Sequence, residues 1–373
     1  MTLIYNATFD KTTRKLSFED RAGNEIYSFT VPERTPAVDD ITKPLTFRAT
    51  KDGSKVMLYK HLKPDGDFQT SRDGGNTWED YTLGSEITLN TGDEVSFRVK
   101  ANRSPYQYAS NYCCFELRRG KIEAWHNVMS MYRKDDFSTY DTAVGSVFAN
   151  LFKDCTSLTK APVLPATKLN DSCYYSMFSG CQSLTKAPEL PATTLALRCY
   201  ADMFSGCKSL TKAPELPATT LADRCYPSMF SGCQSLTKAP ELPATTLATD
   251  CYNGMFYGCR SLTKAPELPA TKLADSCYSY MFQACQSLTQ APALPAKYLA
   301  FSCYYVMFSR CSKLKEVRIA ATSKATYALD NWLSGVSATG DFYCDSNAAI
   351  FPTGKSGIPE GWRRLNINDY PTT

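Results

Sequence analysis

A chain of 373 residues has room for two or three domains, and 43% hydrophobic with 21% charged residues is the balance of a folded globular protein. A net charge of +4, spread evenly, excludes the concentrated basic surface that nucleic acid or an anionic membrane would select. No apolar run is long enough for a membrane helix, so membrane insertion is not expected either.

The first twenty residues carry charges throughout and lack the apolar core of a secretory signal. The chain is therefore read as staying in the cytoplasm where it is made, leaving by another route, or having lost a leader. Residues 1–31 alternate like short strands, with Leu3, Tyr5 and Phe9, then Leu16 and Phe18, then Ile26, Phe29 and Val31. Arg21-Ala22-Gly23-Asn24 supplies a hairpin turn. Thirty residues of meander cannot build a core alone. Leu3, Tyr5, Phe9, Leu16 and Phe18 are accordingly the candidate attachment surface, and 1–40 is read as a β arm with a three-proline linker from 32.

From 41 to 120 the pattern is all-β. LTFRAT, KVMLYKHL, EITLN and EVSFRVKA are separated by Asp-Gly, Gly-Gly and Thr-Gly turns, which suggests a small β-sandwich. Within it, Ser71-Arg72-Asp73-Gly74-Gly75-Asn76-Thr77-Trp78 fits the Asp-box pattern S-x-D-x-G-x-T-W. A single box is read as a hairpin tied by its aspartate rather than as a glycan site. His61 and His126 lack any nucleophile context and are read as ordinary histidines.

Repeats fill 121–311. Met-Phe recurs every 26 residues, from Met177 through Met203, Met229, Met255 and Met281 to Met307, with Leu151-Phe152 as an altered seventh copy. A unit that short buries its apolar face only by stacking, so the repeats form a solenoid with one shared core. The stripe Leu169, Cys173, Met177, Cys181 has i, i+4 spacing and predicts helical turns. Pro227 interrupts that stretch, so two short turns are expected rather than one helix, with Gly180, Gly206, Gly232 and Gly258 as stops. The other half, SLTKAPELPAT, allows only a short strand bounded by Pro188 and Pro191. KLKEVRIAA at 313–321 is a cleaner strand, and 312–373 reads as last repeats and a C-terminal cap.

Thirteen of the sixteen cysteines belong to the repeat, in two series, Cys155 to Cys311 and Cys173 to Cys303. The nearest pair within a turn is eight residues apart, roughly 12 Å on a helix, beyond the reach of a disulfide. A ladder of buried, reduced thiols is expected, and no metal or other cofactor is implied. Tyr174 and its five equivalents follow the second cysteine and are expected to pack between rungs. On the exposed side stand Lys160, Lys186, Lys212, Lys238 and Lys264, with Glu189, Glu215, Glu241 and Glu267 three positions after their lysines. Stacking sets these in two adjacent columns of opposite sign, a solubilising surface or a ligand-facing one.

The repeat MFxGCxSLTKAPELPATTLAxxCY resembles the BspA-like leucine-rich repeats of Bacteroidetes surface antigens, whose arrays also occur in phages of those bacteria. The preceding DGGNTW and TLGSEITLNTGDEVSF are similar to the β-domain that often comes before such repeats. The resemblance implies a right-handed leucine-rich repeat solenoid, and an α+β class overall. It also implies surface adhesion without catalysis, through contact with a host surface protein or a glycan. The expectation is a non-enzymatic virion component, such as a fibre, tail or capsid-decorating protein, assembled in bacterial cytoplasm. Its arm would join a virion or surface-assembly protein, with a homo-oligomer possible. An adhesin at the bacterial cell surface is the alternative.

Overall fold

The computed structural model describes residues 6–10, 15–19, 22, 24–30, 39–60, 68–102, 113–117 and 119–370. The chain divides into two units, Met1–Asp39 and Asp40–Thr373.

In the first unit β1 (Asn6–Asp10), β2 (Lys15–Glu19) and β3 (Glu25–Thr30) form an antiparallel meander. Register sets Phe9 opposite Leu16 and Leu16 opposite Phe29, with Phe18 opposite Ala7 and Tyr27. Leu3 and Tyr5 lie outside the described residues, as does His61.

The second unit opens with two sheets. β4 (Thr46–Ala49), β6 (Phe68–Ser71), β7 (Glu79–Tyr81), β9 (Glu94–Val99) and β11 (Ile122–Trp125) belong to one. β5 (Ser54–Lys60), β8 (Ile87–Leu89) and β10 (Cys113–Glu116) form the other. Alternating apolar residues close the layer between them, with Phe47 meeting Phe97 and Phe115 edge-on at ring separations of 5.7 and 4.7 Å, and Phe97 meeting Phe115 at 5.1 Å. The Asp-box forms its hairpin. The Asp73 carboxylate accepts from Ser71 Oγ (2.6 Å), Thr77 Oγ1 (2.6 Å) and the Asn76 and Thr77 N–H groups (3.0 and 2.9 Å). Those bonds, led by the Ser71 and Thr77 hydroxyls, hold its carboxyl well below the usual range. Trp78 Nε1 donates to the Gly75 carbonyl, and Arg98 lies 4.0 Å from the Trp78 ring, so the motif is spent on its own turn.

The repeats continue this architecture directly. β12 (Leu158–Lys160) adds in parallel to β11. Parallel pairings then step from Lys160 through Lys186, Lys212 and Lys238 to Lys264, and again from Gln290 to Glu316, Asp341 and Arg363. The result is a β-solenoid of nine rungs. Phe115 stacks on Phe152 at 5.4 Å, and from there one phenylalanine column runs through Phe178, Phe204, Phe230, Phe256 and Phe282 to Phe308. The β-domain is therefore the N-terminal cap of the array, its Phe115 standing where a previous rung would. At the other end buried Trp332 stacks on Tyr304 and tilts against Phe308, and Phe342 and Phe351 close the core behind it.

The expected helical turns are not there. No α-helix occurs among the described residues, so the class is β-solenoid with N-terminal sheets, and the α part of α+β falls away. Where helix was expected, each rung carries a run of overlapping turns. In 172–181 the odd residues Cys173, Tyr175, Met177, Ser179 and Cys181 donate N–H to the carbonyl three residues back. The even residues Ser172, Tyr174, Ser176, Phe178 and Gly180 donate to the next rung, at Leu197, Cys199, Ala201, Met203 and Ser205. Every donor in the run has a partner, half of them holding the rung's shape and half holding the stack. The backbone is left-handed at every fourth residue, φ being 57° at Ser172, 50° at Ser176 and 77° at Gly180. The apolar spacing of four is the period of this turn run, close enough to 3.6 to imitate a helix.

Pro227 fits for the same reason. It takes the place of Tyr175, whose N–H makes only a bond within its rung, while the Pro227 carbonyl still accepts from Asp202 N–H at 2.9 Å. Gly180 and its equivalents are the third left-handed position of the run, not stops. Asp154, Ala284 and Arg310 take the same conformation in other rungs. The proline-bounded half behaves as its sequence requires. Strands there shrink to single bridges at the lysine and Thr194–Thr220–Thr246 positions, and Glu316–Arg318 forms a proper strand once the prolines are gone.

Candidate functional site

The turn run points pairs of side chains inward, and these make the interior. Met177, Met203, Met229, Met255, Met281 and Met307 are fully buried. Both cysteine series are buried as well. In the first series each thiol donates to the phenylalanine carbonyl of the preceding rung, from Cys181 to Phe152 at 3.0 Å through Cys311 to Phe282 at 3.0 Å, and Cys155 does the same to Phe115 at 3.1 Å. That role explains the residue type: small, apolar, with one weak donor. Burial pushes the Cys199, Cys233, Cys251, Cys303 and Cys311 thiols up to about 12, and others further. A thiol held protonated is no nucleophile. Stacking at roughly 4.8 Å per rung brings column neighbours closer together than the eight-residue pairs within a turn.

Tyr174, Tyr200, Tyr226, Tyr252, Tyr278 and Tyr304 are buried and stacked at ring separations of 5.7 to 6.1 Å. They pack between rungs and offer no platform to a ligand. The Tyr174 and Tyr200 hydroxyls find no partner there, which at about 1–3 kcal/mol each is a cost the stacking must offset. His126 Nδ1 accepts the Asp40 N–H at 3.1 Å, a structural task. Cys114 is buried and Cys113 half-buried. Among the described residues no group of three or more His, Cys, Asp or Glu could hold a metal ion, and no helix is long and apolar enough to cross a membrane.

The proline-bounded face, by contrast, is open to solvent. Lys186, Lys212, Lys238 and Lys264 are exposed, as are Glu189, Glu215, Glu241 and Glu267. No ion pair joins a lysine of one column to a glutamate of the other. A cleft of about 390 Å³ opens between the Lys186–Pro191 and Lys212–Pro217 segments. Lys160 departs from the expected series. It is half-buried, its Nζ held 3.5 Å from the centroid of the Trp125 ring, because the neighbour on that side is the β-domain rather than another repeat. Sequence reasoning missed a second cleft at the far end, where Gln290 and Ala293 interrupt the columns.

Stacked parallel rungs, a continuous apolar interior and a cap at each end define a leucine-rich repeat β-solenoid. Six copies of the BspA type leucine-rich repeat region match residues 138–240 and 200–331, and the chain belongs to that family. No curated protein and no solved structure matches it. Leucine-rich repeats of this family are typically non-catalytic.

Proposed function

We propose that this is a non-enzymatic recognition protein that presents the Lys–Glu face of its solenoid to a host surface protein or glycan. One observation carries the reading. The thiols, stacked tyrosines and methionines of the repeats are sealed in the core, while four rungs of lysine and glutamate stand exposed, two of them lining an open cleft. In the setting we favour, the protein is a virion component, attached through residues 1–40. A three-stranded meander forming its own unit supports that role, since so small a sheet gains most by packing on a partner. A second reading, an adhesin displayed on the bacterial cell surface, is supported by the family to which the repeats belong.

Reversing Lys186, Lys212 and Lys238 to Glu should leave the fold intact and lower adhesion to target cells at least tenfold. Unchanged adhesion would remove the face from the proposal. Deleting residues 1–40 should leave a folded protein that no longer joins its particle or envelope. Normal incorporation of the truncated chain, with loss of incorporation on removing the repeats, would reverse the proposed orientation. Finding the full chain in purified particles rather than in bacterial envelopes decides between the two settings.

A further inference from the structure

The two charged columns end by changing sign. Down the first, Lys264 is followed by Gln290 and then by Glu316, its bridged partner in the next rung. Down the second, Glu267 is followed by Ala293 and then by Arg318. Arg318 stands one residue before Ile319, as Ala293 stands one before Leu294, and Leu294 and Ile319 are bridged. A neutral rung thus separates one that reads plus–minus from one that reads minus–plus. Over that rung lies a cleft of about 380 Å³, lined by these side chains and by Tyr370 from the end of the chain.

Unlike the open repeats, this cleft has a fixed wall. The Tyr370 hydroxyl donates to Glu316 Oε1 at 2.7 Å and accepts from Gln290 Nε2 at 2.8 Å, and Gln290 Nε2 also donates to Glu316 Oε1. Arg318 covers the Tyr370 ring at 4.3 Å, and Tyr343 meets that ring edge-on at 4.9 Å. Five residues from four separate parts of the chain are therefore set before any ligand arrives, which lowers the ordering cost of binding.

The charges choose the ligand. No ion pair joins any two of Lys264, Glu267, Glu316 and Arg318. A lone anion entering the cleft meets two carboxylates, and a lone cation meets two cationic side chains. An apolar ligand would strip water from all four charges without replacing it. A ligand carrying both signs pairs with both. Two rungs at roughly 4.8 Å each place the Lys264 and Glu316 backbones about 10 Å apart, and three residues along a strand give a similar span from Lys264 to Glu267. We propose that this cleft binds a small zwitterion with its two charges separated by several ångströms, as in a free oligopeptide. The site adjoins the face proposed above and does not depend on that reading.

Triglycine, with a free ammonium at one end and a free carboxylate at the other, is the probe. It should titrate the full chain saturably by calorimetry or saturation-transfer NMR. Acetylating the amine or amidating the carboxylate should each weaken binding at least fivefold, and capping both should abolish it. In a Lys264→Gln/Arg318→Gln variant the free acid and its amide should bind alike. Exposed Lys264→Gln alone gives the same readout, reduced in size, should the double variant misfold. Lys186→Gln, four rungs before Gln290, should change nothing here although it belongs to the adhesive face. The proposal is overturned by absence of saturable binding, by equal binding of capped and free peptide, or by a Lys264→Gln titration that matches the parent.

Discussion

Raising the pH from 8 to 10 should melt the repeat array. Thirteen repeat thiols are buried, and burial raises each above its ordinary value, to about 12 in Cys199, Cys233, Cys251, Cys303 and Cys311. In the unfolded chain the same thiols ionise near 8.5. A raised folded value means that the folded state keeps protons which the unfolded chain gives up. The contribution is fully present below about pH 8.5 and declines as pH rises toward the folded values. One unit above 8.5, each thiol favours unfolding by about 1.4 kcal/mol, and thirteen together by about 18 kcal/mol. That exceeds the roughly 5–15 kcal/mol by which folded domains are usually stable. Above about pH 10 the buried tyrosines add to it, since burial raises them too. Circular dichroism should show a steep loss of structure between about pH 8.5 and 10.5, with labelling of the repeat cysteines rising in step. At neutral pH a thiol reagent should reach few of the sixteen. A protein that keeps both its spectrum and its unlabelled thiols at pH 11 would contradict the buried ladder, as would complete labelling at pH 7.

The array was legible because stacking imposes its period on the sequence. Any residue that meets its own copy in the next rung must tolerate that neighbour, so Met, Phe, Cys and Tyr recur at 26-residue spacing and announce the interior. The local backbone was not legible to the same degree. A spacing of four satisfies a helical template, and the signal against it is subtler: Asp, Asn, Ser or Gly at 150, 154, 172, 176, 180, 202, 228, 250 and 254, where the left-handed conformation recurs. Pro227 was the clue that a helix was wrong, and its explanation needed the alternation of bonds within and between rungs. Lys160 could not be separated from its column by pattern, because what displaces it is Trp125 of the preceding domain. The cleft at the cap was half visible. Gln290 and Ala293 break the two columns in the sequence, but nothing local says that Tyr370, eighty residues on from Gln290, folds back to close the wall.

Replacing Met229 with Asp should open the middle of the array and spare its ends. Met229 is fully buried, its carbonyl accepts the Phe204 N–H at 2.9 Å, and its side chain shares the core with Met203 and Met255 one rung away on either side. The substitution removes a packed side chain, at about 2–5 kcal/mol, and strands a carboxylate with no cation to meet it, at several kcal/mol more. Met229→Leu, which keeps volume and polarity, should cost under about 1.5 kcal/mol. A rung touches only its neighbours, so the loss should not spread evenly. Hydrogen exchange in the Asp variant should accelerate most between about Cys199 and Cys259, where amides donate across the damaged rung. Amides of Phe47, Phe97 and Phe115 should stay protected, because the β-domain closes its own aromatic layer before the first repeat begins. Exchange that accelerates uniformly from the β-domain to Trp362 would mean the chain from Asp40 onward folds as one cooperative block. Exchange that does not change would mean that Met229 is not in a shared core at all.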